Sequence, residues 1–413
     1  MKNKFCVSKK ILLFVFTIIL AISFTLLVFK LANIINQKKS VVSSKAAISN
    51  LQNYFPLGIY FLPGPESDST FQKIQDAGVN VITGYWTTPI QLRLAQNHKI
   101  KYFGTLEYIF RNDNLSAKAD YLDINCNLSS VVDLSYLTSF SSLIGFYGLD
   151  EANYFPITGD KQVSKEPCYT VHDLLMTNYS SYPIWMNYSF QTDHSLADNG
   201  TLSNPLMMMR TINNLSHATI SGFDSNFVGN DSLPPMNSRD FYPTTREFVE
   251  AMKKKELGDS VNKIYIVLPA ISNISLTIQQ MKFQVYGAII GGADGIFWYD
   301  DPANFYSSYW NSISDIIREL KTIMPGILGK TVKSDLSIQS LKPYAIKIGS
   351  NNKYYVFYLN RSNVEFKFKI DLKTDRKKLN NMKKLSSTKT FSVSNNTLRD
   401  TCEKLSACIY YEQ

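Results

Sequence analysis

The chain has 413 residues, with 43 Lys and Arg against 34 Asp and Glu, a formal net charge of +9, 45% hydrophobic and 13% aromatic residues. That length holds one large domain and a smaller one, and the composition excludes a disordered or collagen-like chain. A basic total points first to nucleic acid, but its placement argues against that: residues 1–50 hold eight lysines and no acid, residues 331–413 carry +9, and residues 51–330 between them carry −8.

The first predicted element is apolar. Ile11 to Phe29 is an uncharged run flanked by Lys9, Lys10 and Lys30. At about 1.5 Å per residue it reaches roughly the hydrocarbon thickness of a bilayer. The lysines ahead of it keep the N-terminus cytoplasmic and the rest extracytoplasmic. A cleaved signal peptide is the alternative, although Phe29-Lys30-Leu31-Ala32-Asn33 is a poor cleavage site. The expectation is a single-pass membrane protein with an extracytoplasmic body, or a secreted one if the segment is removed. Residues 1–32 form the stub and anchor, and the polar residues 33–52 a linker.

Four cysteines follow, Cys126, Cys168, Cys402 and Cys408, while Cys6 lies on the cytoplasmic side. An oxidising compartment allows pairs Cys402–Cys408 and Cys126–Cys168; free buried thiols are the other reading. Sequons include Asn187 and Asn360.

From residue 53 to 328, short β-rich apolar runs alternate with helical patterns. The predicted strands are Leu57–Leu62, Asn80–Tyr85, Lys101–Tyr108, Leu143–Leu149, Pro183–Tyr188, Ala218–Phe223, Lys263–Pro269 and Gly295–Tyr299. The predicted helices are Phe71–Ala77, Pro89–Asn97, Leu134–Ser141, Val171–Asn178, Pro205–Asn213, Thr244–Glu256, Ile278–Ile290 and Tyr309–Ile323. Eight such units are the count and size of a (β/α)8 TIM barrel. A doubly wound sheet would want a Gly-rich phosphate loop after the first strand, and Phe61-Leu62-Pro63-Gly64-Pro65 is not one. Residues 329–413 read as a small antiparallel β-sandwich, with strands at Tyr344–Gly349, Lys353–Asn360, Glu365–Leu372, Thr388–Val393 and Ala407–Tyr411.

A TIM barrel works at the C-terminal ends of its strands. Those ends carry Tyr60, Trp86, Glu107, Asp150-Glu151, Asn187-Tyr188, Asp224 and Tyr299-Asp300-Asp301, while the seventh strand ends in Leu268-Pro269-Ala270. Paired carboxylates are what glycosidic-bond cleavage requires, one as acid and one as nucleophile or base. Aromatic faces stack on sugar rings, and amides bind hydroxyls. Each acid taken alone also fits a helix cap or a solvated turn.

Several segments resemble glycoside hydrolase-like TIM barrels with a C-terminal β-sandwich. They are Phe55-Pro-Leu-Gly-Ile-Tyr60, Gly84-Tyr85-Trp86, Leu143-Ile-Gly-Phe-Tyr-Gly-Leu-Asp-Glu151, Gly291-Gly-Ala-Asp-Gly-Ile-Phe-Trp-Tyr299 and Tyr354-Tyr-Val-Phe-Tyr-Leu-Asn360. The resemblance implies Glu151 as general acid. Retaining relatives place a nucleophilic Glu at strand seven, which Ile264–Ser272 lacks. The resemblance therefore implies a base or nucleophile from Asp224, then Asp300, or Glu107, an inverting reaction, or a non-catalytic carbohydrate-binding relative. Tyr60, Trp86, Glu107, Asn187, Trp298 and Tyr299 are the expected substrate-binding residues.

Other chemistries find little support. His98, His172, His194 and His217 show no metal spacing, no cysteine pair has zinc spacing, and no serine-nucleophile elbow occurs. No cofactor is expected. Met207-Met208-Met209 reads as core packing. The expected partners are a carbohydrate substrate and, through the N-terminal segment, a membrane, but not nucleic acid. The basic runs Arg376-Lys377-Lys378 and Lys383-Lys384 read as solvated turns, or as contacts to acidic lipid or anionic glycan.

Overall fold

A computed structural model describes residues 51–62 (except 52), 67–105 (except 85), 109–110, 118–120, 134–148, 178–189, 219–224, 263–270, 276–299, 309–335, 343–372, 381–393 and 396–413. Residues 1–50 lie outside this set, and so do Cys126, Cys168, Met207–Met209 and the predicted helices over 205–213 and 244–256. Among the described residues no helix is long and apolar enough to cross a membrane.

The barrel is closed and parallel. In chain order its first members are β1 (Leu57–Leu62), β2 (Val81–Gly84) and β3 (Lys101–Thr105). A small antiparallel pair follows, β4 (Ile109–Phe110) with β5 (Lys118–Asp120). Then come β6 (Leu143–Tyr147), β7 (Ile184–Ser189), β8 (Ile220–Asp224), β9 (Lys263–Pro269) and β10 (Gly295–Tyr299). The order around the barrel is β1-β2-β3-β6-β7-β8-β9-β10 and back to β1. Three of the eight, β1, β9 and β10, keep their predicted bounds.

Five helices are described: α1 (Asp68–Asp76), α2 (Pro89–Asn97), α3 (Ile278–Gly291), α4 (Tyr309–Thr322) and α5 (Met324–Ile327). The side chain of Ser67 caps α1, and Gly78 follows it at φ 87°, a conformation that favours glycine. At α3, Thr277 and Gln280 form a reciprocal capping box. The segment predicted as helix at Leu134–Ser141 is a series of turns instead. There Thr138 Oγ1 donates to the Ser135 carbonyl and Ser139 Oγ to the Tyr136 carbonyl. Such local bonds offer the backbone an alternative to the helical ladder.

Strand alternation sorts the barrel residues into two clusters. Ile59, Ile82, Leu268 and Ile296 face outward and pack with helix residues such as Ile74, Val285 and Ile316. Tyr60, Val81, Phe103, Tyr147, Trp185, Tyr265, Val267 and Phe297 fill the interior.

The C-terminal part holds two antiparallel sheets. One contains β11 (Lys330–Asp335), β12 (Tyr344–Ile348), β13 (Tyr354–Asn360), β18 (Ser406–Glu412), β15 (Asn381–Lys384) and β16 (Thr390–Ser392), in that spatial order. The other pairs β14 (Phe366–Asp371) with β17 (Thr397–Cys402). Their inner faces share a core of Val356, Tyr358, Phe368, Ile370, Leu398 and Tyr410. Cys402 and Cys408 form a disulfide.

Helix α3 joins the two parts. Every residue from Phe283 to Gly291 is buried, so this stretch of the helix has no solvent face. It packs on the barrel strand β9 and on β13 and β18. The Glu319 carboxylate of α4 accepts from Lys282 and from the Tyr286 hydroxyl, both of α3, and from Ser386 Oγ of the C-terminal part at 2.9 Å. Lys347 Nζ donates to the Ile327 carbonyl at 2.6 Å.

Candidate active site

The interior of this barrel is mainly aromatic. Trp185, fully buried on β7, is its hub. Its ring meets Phe297 at 4.5 Å, Tyr147 at 5.2 Å, Tyr265 at 5.3 Å, Phe103 at 5.5 Å and Tyr60 at 5.8 Å between centroids. Most of these pairs are edge-on or tilted, the arrangements that ring quadrupoles favour. Glycines make the room. A Cβ on Gly58 would lie 2.3 Å from the Phe297 ring, and one on Gly145 2.6 Å from the Phe103 ring. Burial pushes the Tyr265 hydroxyl well above the usual tyrosine range, and the nearby Asp294 and Tyr54 push it further.

Toward the C-terminal strand ends the interior turns polar. Tyr60 and Tyr147 hydroxyls are hydrogen-bonded to each other, and Asn187 Nδ2 donates to Tyr60 Oη at 2.9 Å. All three are buried. Tyr299 stands edge-on to Tyr60, with centroids 5.9 Å apart, and is partly exposed. Tyr60, Asn187 and Tyr299, expected from the sequence, therefore come together. Tyr147 is a fourth member that the sequence reading missed. Its place two residues beyond Gly145 on a strand shared with Leu143 could have signalled it by alternation.

The other expected site residues fall elsewhere. Asp224 is the last residue of β8, in register with Ser189 and Val267, two residues beyond the Asn187–Gly222 pair. Trp86 follows β2, and its carbonyl accepts from the Tyr102 hydroxyl at 2.7 Å. Trp298 was expected to line a subsite. It is instead fully buried on the outer face of β10, packed with the helices, because it alternates with Phe297 and Tyr299. Glu107, Glu151 and Asp300 lie outside the described residues. The strand-seven end contributes no acid: β9 closes on Pro269, and the Ala270 N–H donates to the Tyr299 carbonyl at 2.7 Å.

Two sequons are structural asparagines. Asn187 Nδ2 is engaged as above, and Asn360 Nδ2 donates to the carbonyls of Val364, Cys402 and Glu403. His98, also buried, bonds Asp68 Oδ1 through Nε2 at 2.8 Å and ties α2 to α1.

No protein-family model matches the sequence, and no curated protein matches it. Solved structures do match in shape. A GH30 endoxylanase from Clostridium papyrosolvens superposes with a TM-score of 0.51 at 9% identity, over 86% of this chain and 95% of that one. A variant of AmyP in complex with maltotriose gives 0.51 at 10% identity, over 89% and 98%. A family 39 glycoside hydrolase from Bacteroides cellulosilyticus gives 0.50 at 11% identity, over 88% and 82%. At such identities the likeness is one of fold. The chain thus folds as an eight-stranded TIM barrel with a β-sandwich-like C-terminal part, a fold it shares with these solved structures.

Proposed function

We propose that the chain is a glycosidase whose active site is the C-terminal mouth of the barrel and whose substrate is an extracytoplasmic glycan. One observation carries this reading. The strand ends bring a hydrogen-bonded Tyr60–Tyr147–Asn187 cluster and the Tyr299 ring to one end of a closed barrel, with Asp224 closing β8 at the same end. Phenolic and amide groups over an aromatic floor suit sugar hydroxyls and ring faces. The fold shared with the endoxylanase, with AmyP and with the family 39 hydrolase supports the same reaction class.

In this reading Glu151, which follows β6 by four residues in the sequence, protonates the leaving oxygen. Asp224 attacks the anomeric carbon or activates water, with Asp300 the second choice for that role. Tyr60 and Asn187 orient hydroxyls from below, while Tyr299, Trp86 and Glu107 border the subsites. Trp298 supports β10 from behind and is left out of the subsites. The apolar segment Ile11–Phe29 holds the body outside the cytosol as an anchor, or directs its secretion if cleaved.

Incubating the full chain with a panel of neutral, cationic and anionic polysaccharides tests the proposal. Release of reducing ends by the wild type and its loss in Glu151→Gln is the expected result. Equal turnover by both would remove Glu151 from the acid role. One observation favours a second reading, a non-catalytic carbohydrate-binding barrel: β9 ends in Leu268-Pro269 with no carboxylate. Saturable glycan binding without any reducing-end release would establish it.

A further inference from the structure

The two-stranded sheet of the C-terminal part turns one face inward and one to solvent. Phe368 and Ile370 of β14, and Leu398 and Cys402 of β17, enter the core. Alternation therefore turns Lys367 and Lys369 outward from β14, and Arg399 and Thr401 outward from β17. Lys367, Lys369 and Arg399 are all exposed. The register sets Lys369 directly opposite Arg399, Lys367 opposite Thr401 and the exposed Asp371 opposite Thr397, so Arg399 has Lys367 and Asp371 as diagonal neighbours and three cations share the face with one acid. Like charges directly opposite destabilise a strand pair. Among the described residues, no ion pair or side-chain hydrogen bond relieves any of these three cations.

Edge protection explains part of this pattern. Both strands are edges, and lysine discourages a third strand from pairing. It does not explain Arg399 opposite Lys369, where a threonine or an acid would protect as well without repulsion. The three cations are better explained by an anion outside the chain.

We propose that this face docks on an anionic phospholipid membrane. Cations on adjacent strands form a flat grid rather than a cleft, which suits an array of headgroups. No aromatic residue lies among its outward positions, so it offers no platform for a sugar ring. Residues 331–413 carry +9 and residues 51–330 carry −8, so an anionic surface attracts this part of the chain and repels the barrel. The apolar run Ile11–Phe29 would bring a bilayer within reach, and a basic face adds the second attachment that orients the body on it.

The test uses the full chain reconstituted in phosphatidylcholine vesicles with and without phosphatidylglycerol. Lysine acylation is read by mass spectrometry. The exposed barrel lysines Lys99 and Lys321 serve as internal references. The attraction of one cation to such a surface corresponds to about fivefold in occupancy. Labelling of Lys367 and Lys369 should therefore fall about fivefold or more in the anionic vesicles and recover at high salt. The reference lysines should not change. In the Arg399→Gln variant, checked for unchanged circular dichroism, the protection should weaken. Equal labelling in both vesicle types would overturn the proposal. So would protection by soluble polygalacturonate in neutral vesicles without protection by phosphatidylglycerol, which would assign the face to an anionic glycan.

Discussion

Gly222 on β8 lies against Trp185 on β7: a Cβ added to the glycine would sit 1.9 Å from the indole Nε1 and 2.6 Å from Asn187 Oδ1. The absence of a side chain at one position thus allows the largest side chain to lie across the barrel centre. It also leaves Asn187 free to reach Tyr60. Packing and site geometry are tied at this contact.

Gly222→Ala should therefore displace both Trp185 and Asn187. Overpacking of this kind costs about 1–3 kcal/mol. Urea unfolding should show a lowered midpoint, and the near-ultraviolet dichroism of the tryptophans should change. A midpoint equal to the wild type would mean that the interior has slack that the contacts do not suggest.

Tyr60→Phe keeps the ring contacts to Trp185 and Tyr299 but removes the hydroxyl that meets Tyr147 and Asn187. A buried polar group that loses its partner costs about 1–3 kcal/mol. Stability should fall by that amount while the tryptophan dichroism stays close to the wild type. If the cluster orients substrate as proposed, turnover should fall more than stability explains. Comparing kcat/KM at a temperature where the variant is fully folded separates the two.

The C-terminal part should lose stability in acid through one carboxylate. Asp400 Oδ2 accepts from Lys384 Nζ at 2.9 Å and from the Tyr410 hydroxyl at 2.6 Å. Burial alone would raise the Asp400 carboxyl, but hydrogen bonds from Lys384, Tyr410 and the Thr401 backbone, with the Lys384 charge, hold it below its ordinary value. A depressed carboxylate contributes stability that is full above the unfolded value, about 3.9, and is lost as pH falls through the folded one. Asp400→Asn should lower the melting temperature at neutral pH and flatten its decline in acid. A decline as steep as in the wild type would place the acid sensitivity elsewhere.

An alkaline limit follows from the junction. Burial raises the Tyr286 hydroxyl well above the tyrosine range, and the Glu319 charge and hydrogen bond raise it further. A tyrosine raised in the folded state costs stability once pH climbs past the unfolded value near 10. Glu319→Gln should loosen the contact between α3 and the C-terminal part, with a loss of about 1–3 kcal/mol. It should also move tyrosinate absorbance in the folded protein to lower pH. An unchanged alkaline titration would mean that Glu319 has no part in it.

The sequence was most legible where an element is defined by its own residues. Apart from Lys263, the runs Leu57–Leu62, Lys263–Pro269 and Gly295–Tyr299 hold no charged residue and are largely apolar, and they are strands to the residue. It was least legible where a partner defines the element. Lys330–Asp335, Asn381–Lys384 and Thr397–Cys402 went unread, because polar side chains occupy most of their positions and only the register with β12, β18 and β14 makes them strands. The site shows the same limit. Trp298 and Tyr299 are neighbours of similar chemistry, and a one-residue change of register exchanges their faces. Only the closed sheet decides that Tyr299 joins Tyr60 while Trp298 joins the helices.

In the proposed function Glu151 supplies a proton to a departing glycosidic oxygen. Comparing wild type and Glu151→Gln on two glycosides of the sugar found by the polysaccharide panel tests it most directly. One carries an alkyl leaving group that needs the proton, and the other a dinitrophenyl group that does not. The expected result is a loss of about 100-fold or more in kcat on the alkyl glycoside with dinitrophenyl turnover largely retained. Equal losses on both substrates, or no loss on either, would contradict it.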